Sequence, residues 1–397
     1  MISVEEAQAR VVAGVSVLPA ETVPLTDAAG RVLAGPITAR RTQPPFAASA
    51  MDGYAVRGED VANVPVTLKQ VGAVAAGGMH ETAIQAGECV RIFTGAPLPD
   101  GADTVVIQED TEANGDQILI KESEATGRHV RPSGLDFGEG DQRLAAGTYL
   151  SPRKLALAAA MNHPWLQVIR RPSVAILATG DEIVFPGEPI APSQIVASTS
   201  TALAGFVAQL GAEPVLLGVA QDTVASLREA AAAARDADIF VTIGGASVGE
   251  HDLVQTALKE EGLKVDFWKI AMRPGKPLMV GTLGSSQVLG LPGNPVSSLV
   301  CAVLFLRPLI FALQGRAGGI PTTTSMVAAT DLPANGPRQD YMRARLNDRG
   351  QVEPFRKQDS SMLTALAEAD ALIVRPAHAP AVNAGTDIPA LLLDGLL

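Results

Sequence analysis

Aromatic residues are scarce, with Phe, Trp and Tyr together making up 4% of 397 residues. Cores must therefore be built from Ala, Val, Leu and Ile, and stacking platforms for single-stranded nucleic acid are too few to line a groove. Cysteine is nearly absent. Cys89 and Cys301 are the whole complement, far apart and outside any CxxC spacing. This excludes a disulfide framework and a cysteine zinc site and points to a reducing compartment. Positive charge is also short: 31 Lys and Arg stand against 42 Asp and Glu, for a formal charge of -11. Such a chain repels polyanions and acidic membrane surfaces, so neither a nucleic-acid nor a membrane partner is expected, although a few clustered cations can still hold a small anion in one cleft. Long apolar runs are missing too. The longest, residues 299–306, meets Arg307 and Pro308, well short of the ~18 to 20 residues a bilayer requires. The opening MISVEEAQARVV is acidic and amphipathic, unlike a secretory signal. The expectation is a cytoplasmic protein.

What is present is an apolar fraction of 47% with 38 Gly and 28 Pro, the composition of a turn-rich globular chain of two to four domains at roughly 100 to 200 residues each. Ser3 and Glu6 have the spacing of a capping box, and Val4, Ala7, Val11 and Val12 share one face of an opening helix. Short β-prone runs follow at 66–71, 88–93, 103–107 and 117–121, with Asn114-Gly115 as a hairpin signal between the last two. A helix is expected at 151–161, packed with the N-terminal one. From residue 173 strands and helices alternate: strands at 173–179, 213–219 and 238–243, helices at 201–210 and 224–235. That alternation specifies a doubly wound parallel sheet. Further strands at 265–270, 277–281 and 287–291 precede a long apolar helix at 296–313, and a second β domain is expected from runs at 341–346, 352–355 and 371–374.

In open parallel sheets ligands bind beyond the carboxyl ends of the strands. There the sequence places Thr179-Gly180-Asp181-Glu182, Gln221-Asp222-Thr223 and Gly244-Gly245-Ala246-Ser247-Val248-Gly249-Glu250-His251-Asp252. Glu182, Asp222 and Asp252 thus come to one rim, and the amides of Gly244, Gly245 and Ser247 can cradle a phosphate. Carboxylates beside a phosphate call for a bridging divalent ion such as Mg²⁺. Singly, each loop also reads as ordinary caps and turns; in succession they favour a site. Lys269, Arg273 and Lys276 form a cationic segment suited to an oxyanion, or to surface solubility. Gly275-Lys276-Pro277 is not a Walker A loop. Gly245-Ala246-Ser247-Val248-Gly249 matches a serine nucleophile elbow, but His251 is too near and His378 is poorly placed to serve as its base.

Several segments together resemble the molybdopterin molybdenumtransferase family, the MoeA proteins and the C-terminal half of gephyrin. They are Pro44-Pro45-Phe46 through Ser49-Ala50-Met51-Asp52-Gly53-Tyr54-Ala55, Thr94-Gly95-Ala96-Pro97 with Gly101-Ala102-Asp103, Thr179-Gly180-Asp181-Glu182, the 244–249 loop, Arg273-Pro274-Gly275-Lys276-Pro277 and Leu291-Pro292-Gly293-Asn294-Pro295. The resemblance spans nearly the whole chain. It implies a helical linking domain (1–24 and 132–171), an inserted β domain (25–131), an α/β molybdopterin-binding domain (172–318) and a C-terminal β-barrel-like domain (319–397), assembled as a homodimer. It further implies insertion of molybdenum from molybdate into adenylated molybdopterin, with Mg²⁺-dependent release of AMP and molybdenum cofactor. The molybdopterin adenylyltransferase and apo-molybdoenzymes become implied partners.

By the same resemblance Glu182, Asp222 and Asp252 organise the metal, and Asp52 and Thr94 face them from the other subunit. Lys269, Arg273 and Lys276 hold phosphate or oxyanion, Arg338 and Ser360 lie near molybdate, and Arg131 and Asp136 place the linking segment. Three departures stand out: Ala197-Ser198-Thr199 replaces an Asp-Ser-Asn or Asp-Thr-Asn triplet, Gln221-Asp222 replaces an Asp pair, and Arg273 stands where Lys is frequent. They leave room for an alternative, a non-catalytic molybdopterin-binding carrier or scaffold on the same fold.

Overall fold

The computed structural model describes residues 1–244 and 253–397, which form two compact units. One comprises Met1–Glu21, Gly30–Ala34 and Gln167–Leu397; the other comprises Thr22–Ala29 and Gly35–Leu166.

In the larger unit a six-stranded sheet runs in the order Glu213–Ala220, Ser173–Thr179, Ile239–Ile243, Ser286–Leu291, Pro277–Leu283, Lys264–Lys269. The first four strands are parallel, and Pro277–Leu283 runs antiparallel to both its neighbours, so the expected parallel sheet carries an antiparallel edge pair. Its central strands are buried on both faces, and alternate side chains enter different cores. Val174, Ile176, Ile239, Val241 and Ile243 join one apolar cluster; Ala175, Leu177 and Phe240 join another. That two-sided burial is why 173–179 and 239–243 read as nearly unbroken apolar runs.

The first core is covered by the helix Ser198–Gln209, the long helix Pro295–Leu313 and the N-terminal helix Val4–Val12. The second is covered by Val224–Ala233 and Leu253–Glu260 through Leu227, Ala231, Val254 and Leu258. The Ser3 hydroxyl accepts the Glu6 amide at 3.1 Å, as the capping spacing predicts. Val4, Ala7 and Val11 pack into the α/β core, whereas the helix Pro152–Ala160 lies in the other unit. The N-terminal helix thus docks on the α/β domain.

The long helix runs through Arg307 and Pro308 to Leu313, as expected, with a π turn over Ala302–Leu306. Among the described residues it is long and apolar enough to cross a membrane by length and composition, but 89% of its most apolar window is buried inside the protein. Pro308 has no amide to offer the carbonyl one turn earlier. That carbonyl, on Leu304, accepts from the buried Gln8 side chain at 3.2 Å.

The C-terminal sheet takes Gln339–Leu346, Ala371–Arg375, Asp387–Leu392 and Thr324–Val327 in that order, with Val352–Pro354 beside the first. Met272–Arg273, from the cationic segment, pairs with its outer side.

The smaller unit is built on a six-stranded sheet in the order Thr104–Ile107, Gly53–Val56, Glu88–Ile92, Val66–Val74, Gln117–Ile120, Thr111–Asn114. The turn at Gly115 forms as expected, with φ of +64° and Asn114 opposite Gln117. Its partner strand is Thr111–Asn114, an exposed segment without apolar alternation, and not 103–107. The run at 103–107 instead pairs with Gly53–Val56.

Candidate functional site

The strand Ser173–Thr179 has Glu213–Ala220 on one side and Ile239–Ile243 on the other. Successive crossovers therefore leave it in opposite directions and open a crevice at its carboxyl end. A cleft of about 820 Å³ lies there, lined by Thr179, Gly180, Glu182, Ala197 to Ser200, Asp222, Gly244, Pro277, Asn294 and Ser361.

Glycine is obligatory at the strand ends. Gly244 has φ of +92°, and a Cβ there would sit 2.9 Å from Thr179 Oγ1 and 3.0 Å from the Thr179 carbonyl oxygen. The Thr179 hydroxyl in turn donates to the Ile243 carbonyl at 3.2 Å, tying the two loops together.

Negative charge collects on one wall. The Asp222 amide donates to Asp181 Oδ1 at 3.0 Å. Partial burial pushes the Asp222 carboxyl above its ordinary value, and the neighbouring charges of Asp181 and Glu182 push it further. The opposite influence comes from two helices whose first residues line the same cleft: Ser198–Gln209, and the helix that begins at Pro295 after Asn294. Neither has a side-chain cap; the Ser198–Gln209 helix therefore leaves its first-turn amides for an anionic ligand, whereas in the other Pro295 has no amide and the Val296 amide is already taken. Asn294 donates to Ser360 Oγ at 2.8 Å, and the Val296 amide donates to the Ser360 carbonyl at 3.2 Å. This ties the 359–361 turn to the cleft.

Of the residues singled out from sequence, Glu182, Asp222 and Gly244 line this cleft, and Ser360 is bonded to its rim. Gly245, Ser247 and Asp252 lie outside the described residues. The cationic segment enters through Pro277, next to the exposed Lys276. Arg273 is paired with buried Asp340, Lys269 stacks on Trp268 at 5.2 Å, and the Arg338 carbonyl accepts from Asn335 at 2.9 Å. These three do not line the cleft. Asn294 and Ser361 were not assigned a role from sequence, although Asn294 belongs to the quoted Leu291-Pro292-Gly293-Asn294-Pro295 run; Asn before a helix-opening Pro was the available signal.

The donor set suits a hard cation. Glu182 and Asp222 offer carboxylate oxygens, the chemistry of Mg²⁺, while no group of three His, Cys, Asp or Glu that could hold a metal occurs among the described residues. Two acids with open positions fit an ion that keeps waters and substrate oxygens as its remaining ligands.

In the smaller unit Asp52 and Thr94 form a second polar cluster. Asp52 Oδ1 accepts the Thr94 amide at 2.7 Å and its hydroxyl at 2.8 Å. These bonds, with the more distant Arg91 charge, hold the Asp52 carboxyl below its ordinary value. Gly53 is required beside it, because a Cβ would fall 1.9 Å from the Val106 carbonyl oxygen.

Comparison with known proteins agrees across the chain. Residues 2–162 match the MoeA N-terminal region (domain I and II), 175–312 a probable molybdopterin binding domain, and 325–393 the MoeA C-terminal region (domain IV). The chain is similar to a molybdopterin molybdenumtransferase of Nostoc, 39% identical over 94% of this chain and 88% of that one. It is also similar to molybdopterin molybdenumtransferase 2 of Mycobacterium tuberculosis, 36% identical over 92% and 93%. The crystal structure of a molybdopterin biosynthesis MoeA protein from Pyrococcus horikoshii superposes with a TM-score of 0.86 at 26% identity, covering 99% of this chain and 100% of that one. With three consecutive family regions and this identity over nearly its full length, the chain belongs to the molybdopterin molybdenumtransferase family.

Proposed function

We propose that the chain inserts molybdenum from molybdate into adenylated molybdopterin, with release of AMP, in molybdenum cofactor biosynthesis. The observation that carries this reading is the pairing, in one strand-end cleft, of the uncapped N-terminus of the Ser198–Gln209 helix with the Glu182 and Asp222 carboxylates. Anionic substrates need the first and a cation the second. Glu182 and Asp222, with Asp252, would hold Mg²⁺, which when bound neutralises charge at the phosphates. The first-turn amides after Ala197 bind and orient the anionic groups, Lys276 offsets their charge, and Asn294 holds Ser360 in place at the rim. Asp52 and Thr94 complete the wall in a homodimer.

Purified protein incubated with adenylated molybdopterin, molybdate and Mg²⁺ is expected to release AMP. Glu182→Gln and Asp222→Asn are each expected to slow release roughly a hundredfold, the scale of losing one preorganised electrostatic contact in a reaction site. The absence of AMP from folded wild-type protein that still binds the pterin would establish the carrier reading. That reading is motivated by Ala197 and Gln221, which stand where the resemblance leads one to expect carboxylates.

A further inference from the structure

Across the 355–362 segment from the cleft lies a separate recess of about 700 Å³, lined by Phe355, Arg356, Lys357 and Met362. Ser361 lines the cleft and the next residue, Met362, lines the recess. The recess is unusually cationic for a chain of net charge -11. Arg356 and Lys357 are exposed and make no ion pair among the described residues, whereas Arg273 and Arg345 of the same sheet are matched to Asp340 and Glu368.

Behind the recess sits a third cation. Arg343 is only 1% exposed and has no carboxylate in ion-pair contact among the described residues. Its guanidinium donates to Gln358 Oε1 at 3.3 Å and to the Met362 carbonyl, in the recess wall, at 3.1 Å. Gln358 returns a bond to the Arg343 carbonyl at 2.9 Å, which locks the segment onto the strand. The nearby acid, Asp359, is occupied by the Ser361 amide and hydroxyl at 2.9 and 2.6 Å. A buried guanidinium with no direct carboxylate partner, offset only through space by Asp359, lies under two unpaired surface cations and adds to a local positive potential, which an anion relieves.

We propose that this recess is a second anion subsite, distinct from the strand-end cleft. It takes a tetrahedral dianionic group, either a free oxyanion or the phosphate of a nucleoside monophosphate. Arg356 and Lys357 contact the group, and Arg343 acts from below as a positioning residue.

The inference stands apart from the transferase reading, since binding of an inorganic probe requires no pterin, metal or turnover. Equilibrium dialysis of the full chain with radiolabelled sulfate, at physiological salt, tests it. The Arg356→Ala/Lys357→Ala variant is expected to lose one bound equivalent, or to weaken it at least about tenfold, while keeping the wild-type melting temperature. Lys276→Ala is expected to leave that equivalent in place. Unchanged sulfate binding in the double variant, or loss of all binding in Lys276→Ala, would overturn the proposal. Unlabelled molybdate and AMP, added as competitors, separate the two sources: displacement by the first alone names a free oxyanion, displacement by AMP names the phosphate, and displacement by neither also overturns it.

Discussion

Two carboxylates of the proposed reaction are pushed in opposite directions, and each direction has a consequence for stability. Asp52, held low by the Thr94 amide and hydroxyl, contributes stability that is present above the ordinary carboxylate pKa and is lost as pH falls through its lowered folded value. Asp52→Asn is therefore expected to flatten the acid limb of the denaturation midpoint against pH. Asp222 is raised by burial and by Asp181 and Glu182, so its contribution is present below the ordinary value and is lost as pH rises through the raised one. At neutral pH Asp222→Asn should unfold at higher denaturant than the wild type while releasing AMP more slowly. A lower midpoint would show that the carboxylate is structural. Asp222 was legible in the sequence because it follows a strand, whereas Asp52 came only with the family resemblance. Their opposite environments were not legible, since Thr94 lies 42 residues from Asp52 and Asp181 lies 41 residues from Asp222.

At the scale of elements, the strongest local signals held. The buried strand at 173–179 and the capped start of the first helix stand where the sequence puts them, because a two-sided core demands continuous apolar residues and a cap demands a local acceptor. The hairpin partner at 111–114 escaped notice because its side chains are largely exposed and carry no period. Two helical features invite measurement. Gln8 fills the hydrogen bond that Pro308 cannot make, so Gln8→Ala leaves a buried carbonyl unsatisfied and is expected to cost about 1 to 3 kcal/mol in chemical denaturation. Ala197 leaves the helix Ser198–Gln209 without a side-chain cap. Ala197→Asp should raise stability by about 1 kcal/mol yet weaken binding of an anionic ligand, which calorimetry with the pterin would read.

At the scale of the whole molecule, the proposed homodimer places Asp52 of one subunit against Glu182 of its partner, and mixing experiments can test that directly. Asp52→Ala and Glu182→Gln chains, each inactive alone, should regain about a quarter of wild-type AMP release when mixed and re-equilibrated, because half the dimers are mixed and each then contains one intact site. No recovery would mean that both residues act within one chain.

The sequence by itself determined the alternation of strands and helices in the α/β domain and the acids, glycines and hydroxyls that follow its strands, because hydrophobic period, capping and turn chemistry act over a few residues. It also carried the family. Tertiary structure decided which of those residues meet: Asn294 reaching Ser360, Arg273 drawn to Asp340, Gln8 repairing the Leu304 carbonyl. Those contacts join positions tens to hundreds of residues apart, and only the packing of sheets and helices brings such positions within a hydrogen bond of one another.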